Sequence, residues 1–194
     1  SHEYEDLFFG LQASAYEDLT ENNTSDEYEY ILPDIIFDKN LFSSNKYGYA
    51  DLQSNLIFHN YETNKFTKFF INDIDWKYKQ INYQSGFKGR VLGKLKNVNY
   101  EAKNTSIYKN DTTHEVFGAI GYLSEINLFK KISENSKSFL TPKMLLRYAP
   151  GHMREETDKT RLSHSNIFTL DRLNTNKNFE SGLSTTLGFD YELE

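Results

Sequence analysis

Phe179-Glu180-Ser181-Gly182-Leu183-Ser184-Thr185-Thr186-Leu187-Gly188-Phe189-Asp190-Tyr191-Glu192-Leu193 alternates without a break. One set of positions carries Phe179, Ser181, Leu183, Thr185, Leu187, Phe189, Tyr191 and Leu193. The other carries Glu180, Gly182, Ser184, Thr186, Gly188, Asp190 and Glu192. A period of two belongs to a strand, and helical spacing does not produce it. The pattern recurs upstream. Ala50, Leu52, Leu56 and Phe58 oppose Asp51, Gln53, Asn55 and His59; Ile74, Trp76 and Tyr78 oppose Asp73, Asp75, Lys77 and Lys79; Leu140, Met144, Leu146 and Tyr148 oppose Thr141, Lys143 and Arg147. Weaker alternation covers Leu7–Leu19, Tyr28–Asp38, Phe87–Ala102, His114–Phe129 and Ser163–Thr175. The sum is about nine strands, many of about 12 residues or more. Polar connections are expected at Thr20–Asp26, Asn60–Lys65, Asn104–Thr113, Lys130–Lys137 and Pro150–Leu162. No amphipathic helix of useful length, internal repeat or domain linker interrupts them.

Strand length discriminates between solvents. Strands of soluble proteins run to about 5–6 residues, whereas a tilted membrane-spanning strand needs about 9–11. The chain holds 14 Tyr and 15 Phe, with aromatics at 15% but hydrophobic residues at only 38%, and its mean hydropathy is -0.69. Many rings with little aliphatic filler, on long alternating strands joined by polar turns, fit a transmembrane β-barrel. Tyr and Trp suit the two membrane interfaces. The expected fold is therefore all-β, a transmembrane antiparallel β-barrel, of which these residues supply a fragment of about nine strands. A large soluble antiparallel sheet or sandwich is the alternative, with the aromatic strands forming a dry core.

Magnitudes set the expected register. A Lys on the lipid face at the midplane costs about 2–4 kcal/mol, so Ile74, Trp76 and Tyr78 are expected to face outward. The polar faces then line a hydrated lumen, and its candidate residues are Asp73, Asp75, Lys77, Lys79, Lys143, Arg147, Glu180 and Asp190.

Other classes fail on composition and spacing. Charge-free stretches such as Val116–Ser124 fall far short of the roughly 20 apolar residues a spanning helix needs. A formal net charge of -6, from 28 acidic and 22 basic residues, argues against a nucleic-acid partner. The absence of Cys excludes disulfides, thiol nucleophiles and Cys-ligated metals. His2, His59, His114, His152 and His164 show no metal-ligand spacing, and Gly151-His152-Met153-Arg154-Glu155-Glu156 reads as a solvated loop. Asp73 and Asp75 share a strand face, as acid–base carboxylates would, but the neighbouring Lys77 and Lys79 favour a hydrated wall. No nucleophile elbow, phosphate loop or dinucleotide fingerprint occurs, so neither catalysis, a cofactor nor a metal is expected. The start, Ser1-His2-Glu3-Tyr4-Glu5-Asp6-Leu7, carries no leader pattern, and Asp190–Glu194 stops inside a strand-like pattern. An excerpt of a longer chain is expected.

The last third is similar to a known family. Leu140-Thr141-Pro142-Lys143-Met144-Leu145-Leu146-Arg147-Tyr148-Ala149-Pro150 resembles a strand of the lipopolysaccharide-assembly barrel protein, the LptD (OstA/Imp) family. In order after it come Asn166-Ile167-Phe168, Arg172-Leu173, Glu180-Ser181-Gly182 and Leu187-Gly188-Phe189-Asp190-Tyr191. They look like the family's Asn-Leu-Phe element, Arg-aromatic pair, Glu-Gly-Gly element and Gly-x-x-Tyr strand end. Upstream, Ile31-Leu32-Pro33-Asp34-Ile35 is similar to its Leu-Pro-x-Ile strand, and Asp75-Trp76, Gly86 and Val98-Asn99-Tyr100 keep its order. The residues that carry the likeness are Pro142, Asn166, Phe168, Arg172, Glu180, Gly182, Gly188 and Tyr191. Leu173 and Ser181 depart from the family's aromatic and Gly, and Lys177-Asn178-Phe179 stands where an Asp-Arg pair is usual.

The resemblance implies that residues 1–194 are a central part of the family's C-terminal barrel, without its N-terminal jelly-roll domain or barrel ends. It implies transport rather than catalysis: delivery of lipopolysaccharide to the outer leaflet of the outer membrane of a Gram-negative bacterium. The implied partners are lipopolysaccharide, outer-membrane lipid, an LptE-type plug lipoprotein and a periplasmic lipopolysaccharide bridge. The lumen residues would face the sugar and phosphate head group or the plug. A porin- or receptor-type barrel would share the period but not the ordered elements from Pro142 to Tyr191. A soluble all-β binding module is the third reading.

Overall fold

The structure, a computed structural model, describes residues 2–4, 6–17, 28–61, 65–106, 108–133, 136–153, 162–173, 175 and 177–193. It is all-β. Among the described residues, eleven strands run in order: β1 (His2–Tyr4), β2 (Leu7–Glu17), β3 (Tyr28–Ser44), β4 (Gly48–Asn60), β5 (Phe66–Lys77), β6 (Ile81–Asn82), β7 (Phe87–Lys103), β8 (Thr113–Ile126), β9 (Leu128–Ser133), β10 (Ser136–Ala149) and β11 (Gly182–Leu193). They form an antiparallel sheet in the order β1-β2-β3-β4-β5-β7-β8-β10-β11, with β6 on β7 and β9 on β10. Among the described residues the sheet is open, with β1 and β11 at the ends of that order.

Eight strands have 11 to 17 residues and three have 2 to 6. The long ones coincide with the alternating segments, and β5 begins eight residues before Ile74, where the sequence signal starts. The His114–Phe129 segment breaks at Asn127 into β8 and β9. The expected Thr20–Asp26 connection lies outside the described residues, as does Arg154–Glu156. Ser163–Thr175 is a correction: among its described residues it forms turns rather than a strand. Ser163 O accepts from Asn166 N (3.2 Å) and Ile167 N (3.0 Å), while Asn166 Oδ1 accepts from Ser163 N at 2.8 Å. Local side-chain bonds of this kind offer the backbone an alternative to a ladder.

Turn chemistry places the strands. Between β3 and β4, Ser44 Oγ accepts from Lys46 N at 3.2 Å, and Gly48 resumes the strand at φ 82°. A Cβ there would run into Lys77 O and stand 2.7 Å from Tyr78 Cα. Gly48→Ala is therefore expected to cost about 1–3 kcal/mol, because positive φ and a backbone clash act together. A fall in the urea midpoint at unchanged m checks this.

The chain divides into two compact units. The first comprises Ser1–Leu41, Asp51–Ile74 and Lys96–Val116, the second Phe42–Ala50, Asp75–Leu95 and Phe117–Glu194. In the first, one sheet face buries Thr67, Phe69, Ile71 and Asp73 of β5 with Lys96, Val98, Tyr100 and Ala102 of β7. Tyr108 closes over it, with ring centroids 5.0 Å from Phe69 and 5.5 Å from Tyr100. The opposite face carries a polar run: Ser54 Oγ donates to Asn72 Oδ1 (2.7 Å), Asn72 Nδ2 to Asn97 Oδ1 (3.5 Å), and His114 Nδ1 lies 2.7 Å from Asn99 Oδ1.

In the second unit one sheet face carries exposed apolar side chains. Cross-strand pairs on one face of β10 and β11 are Leu140↔Tyr191, Pro142↔Phe189, Met144↔Leu187 and Tyr148↔Leu183. On β8 the same face continues through Ser124, Tyr122 and Ile120, opposite Met144, Leu146 and Tyr148. It reaches β7 where Tyr122 closes on Gly89 and Leu95 on Gly118. Leu187 is 73% exposed, and Leu95, Ile120, Met144, Leu146, Tyr148, Leu183, Phe189, Tyr191 and Leu193 are exposed too. No charged residue occupies this open face at the alternate positions Gly89–Leu95, Gly118–Ile126, Ser138–Tyr148 and Leu183–Leu193. The other face carries the charges, Lys143, Arg147 and Asp190 among them. It is covered.

Candidate functional site

The cover is formed by the described residues of 162–181 (162–173, 175 and 177–181), which lie between β10 and β11 in sequence; this segment is called the strap. Its turns carry Phe168 and Leu170 onto the sheet at two glycines. A Cβ on Gly188 of β11 would meet Phe168 Cζ at 2.9 Å, and one on Gly121 of β8 would meet Leu170 Cδ2 at 2.6 Å. Only positions without side chains admit such close seating. Phe179 at the far end stacks on Phe117 of β8, with centroids 6.2 Å apart.

Polar contacts lock the same segment. Arg147, 1% exposed, lies opposite Gly121. Its Nε donates to Leu170 O at 2.6 Å, its second terminal nitrogen donates to Glu180 O at 2.5 Å, and its guanidinium sits 5.3 Å from the Phe179 ring centroid. Arg172 grips the Glu180 carboxylate with two bonds, Nε to Oε2 at 2.8 Å and a terminal nitrogen to Oε1 at 2.5 Å. Asn166 Nδ2 donates to Arg172 O at 3.1 Å, and Thr169 Oγ1 donates to Asp171 O at 2.7 Å. Forked Arg–carboxylate pairs fix geometry as well as charge. Nearer the other end of β11, Asp190 pairs with Lys143 and accepts from His164 at 3.3 Å.

Between the strap and β5, β7 and β8 lies a cavity of about 610 Å³. Asp75, Lys77, Arg90 and Lys94 line its sheet side, with Leu92 and Leu123; Phe168, Leu170, Asp171 and Leu173 line its strap side. Lys94 Nζ donates to Asp75 Oδ2 at 2.7 Å.

Comparison with known proteins returns no matching family model and no matching curated sequence.

The covered face gathers most of the residues expected to line a lumen. Asp75 and Lys77 border the cavity, Arg147 and Glu180 hold the strap, and Lys143 pairs with Asp190. Lys79 stands apart and exposed. Asp73, in the first unit, is 8% exposed and lies 3.9 Å from the buried Lys96. Arg147 and Asp73 are thus dry and partnered rather than hydrated; desolvated charge persists where an opposite or hydrogen-bonding group compensates it. Of the family-like residues, Asn166, Phe168, Arg172 and Glu180 meet within the strap, Gly188 seats it, and Gly182 starts β11 at φ 110°. Pro142 and Tyr191 sit on the open face. His152 packs near Phe117, centroids 6.3 Å apart.

Sequence reasoning missed Arg90, Lys94, Lys96, Leu170 and Phe179. Lys94 and Lys96 had a signal: they alternate on β7 as Asp73 and Asp75 do on β5, and opposite charges on facing strands pair. Leu170 and Phe179 had a misleading one: both fall in segments that alternate in sequence, Ser163–Thr175 and Phe179–Leu193, yet Leu170 sits in turns and Phe179 lies before β11, buried against Phe117.

Proposed function

We propose that this chain is part of the wall of an outer-membrane β-barrel of the lipopolysaccharide-assembly kind, with the open face of the second unit against lipid. One observation carries the reading: four neighbouring strands present an uncharged, aromatic-rich face outward and turn their charges to the covered side. Antiparallel sheets in water do the reverse, apolar inward and polar outward. Strands of 12 to 17 residues in β7, β8, β10 and β11 exceed the roughly 9–11 that cross a bilayer.

The ordered elements that resemble the LptD family support the narrower reading. Asn166, Phe168, Arg172, Glu180 and Gly188 are far apart in sequence pattern yet act together in seating one strap. In this role the chain transports rather than catalyses. Its charged covered side faces the sugar and phosphate head of lipopolysaccharide and an LptE-type plug lipoprotein, while the acyl tails leave toward lipid at the outer membrane of a Gram-negative cell. A periplasmic bridge supplies the lipopolysaccharide.

Two measurements test the two levels. Spin labels at Leu146, Leu187 and Phe189 in reconstituted vesicles should be relaxed by oxygen, and labels at Asp75 and Asp190 by an aqueous nickel chelate. Equal response of both sets to the chelate removes the membrane reading. Photo-crosslinkers at Asp75 and Asp190 in Gram-negative outer membranes should capture lipopolysaccharide. Lipid-facing labels without any such crosslink would point instead to a porin- or receptor-type barrel.

A further inference from the structure

The cavity under the strap has an excess of positive charge that the protein itself does not neutralise. Of the four charged side chains on its sheet side, Asp75 and Lys94 satisfy each other at 2.7 Å. Lys77 leans over the Tyr49 ring at 5.5 Å and has no ion pair among the described residues. Arg90 is part-buried and its side chain makes neither a hydrogen bond nor an ion pair among the described residues. Glu125 shares an adjoining recess of about 70 Å³ with Arg90 but does not pair with it. On the strap side the carboxylate is Asp171, which is engaged within the protein.

A guanidinium held part-way out of water without an acceptor is an incomplete arrangement. Its planar fork suits a phosphate or carboxylate, and a second cation nearby favours the dianion. The volume of about 610 Å³ is that of sites for small organic ligands, larger than a bare inorganic anion fills. Leu92 and Leu123 on one side and Phe168 and Leu173 on the other supply apolar walls for the remainder.

We infer that this cavity binds an organic phosphate, with Arg90 and Lys77 on the phosphate and the apolar walls on the ligand body. The site rests on and deepens the transport reading, whose covered side faces a sugar and phosphate head, but its test needs only the geometry of the second unit. Phosphate on a lipid-like chain and phosphate on a free sugar offer the same head, so both are assayed.

The folded 194-residue chain in a non-ionic detergent is titrated with octyl phosphate, glucose 1-phosphate and inorganic phosphate, using phosphorus NMR and equilibrium dialysis. At least one of the two organic phosphates should bind saturably near one equivalent, at least tenfold tighter than inorganic phosphate; which one identifies the source. Arg90→Gln and Lys77→Gln should each weaken it tenfold or more, Arg90→Lys by only a few-fold, and Lys79→Gln not at all. Circular dichroism of each variant reports folding, and Arg90→Lys keeps the test valid should Arg90→Gln fold poorly. Absence of saturable binding by the unaltered chain, or equal binding by a folded Arg90→Gln, overturns the inference. Spin-label contrast across the open face can stand or fall separately from this result.

Discussion

Arg147→Met should destabilise the protein by about 3–5 kcal/mol, the cost expected when two charge-assisted hydrogen bonds of about 1.5–3 kcal/mol each are lost and their acceptors stay buried. The acceptors are Leu170 O, near the middle of the strap, and Glu180 O, close to its end at β11. Leu170 is itself buried, so water cannot replace the guanidinium there without lifting the strap. Met fills much of the volume over Phe179, which isolates the polar loss from cavity formation. The readout is twofold: a lower denaturant midpoint, and faster amide deuterium exchange in residues 162–173, while Met144–Leu146 exchange less quickly than the strap. Arg147→Lys keeps the charge but cannot span both carbonyls, and should lose about half as much. Unchanged strap exchange in Arg147→Met would remove the lock from Arg147.

Leu187→Lys separates oil from water at the open face. In a bilayer a Lys at mid-depth costs about 2–4 kcal/mol. In water the same change, at a side chain already 73% exposed, stays within about 0.5 kcal/mol. Leu187 lies opposite Met144, between Leu183 and Tyr191 on the same face, so it is far from either strand end. Leu193→Lys, at the end of β11, should cost no more than about 1 kcal/mol, since the penalty falls toward the interfaces. Guanidinium unfolding from phosphatidylcholine vesicles measures both. A neutral Leu187→Lys would mean that this face meets water.

The parts of the fold legible in sequence were those where one physical rule acted alone. On β10 and β11 the alternation of residues maps directly onto faces, because every side chain either points to the open face or under the strap. Asp190, Lys143 and Arg147 share a side by their register. On β5 the signal starts late, since Phe66, Phe69, Phe70 and Ile71 put apolar residues on both faces and a period of two disappears. Ser163–Thr175 alternates weakly in sequence; that pattern lost to Asn166 and Thr169, whose side chains satisfy the backbone locally. Arg147 of β10 was legible as charged and inward, but not as dry, because its dryness comes from a covering segment whose placement over it the sequence pattern does not show.

Gly121 and Gly188 give the strap its seat by subtraction. A hold defined by missing atoms is all-or-none with respect to side-chain size: Phe168 and Leu170 cannot shift along the sheet by a residue, because every neighbouring inward position on β8 and β11 already carries a side chain, Ala119 and Leu123 on one and Thr186 and Asp190 on the other. The segment therefore has a single docked position, and leaving it means vacating both notches rather than sliding between alternatives.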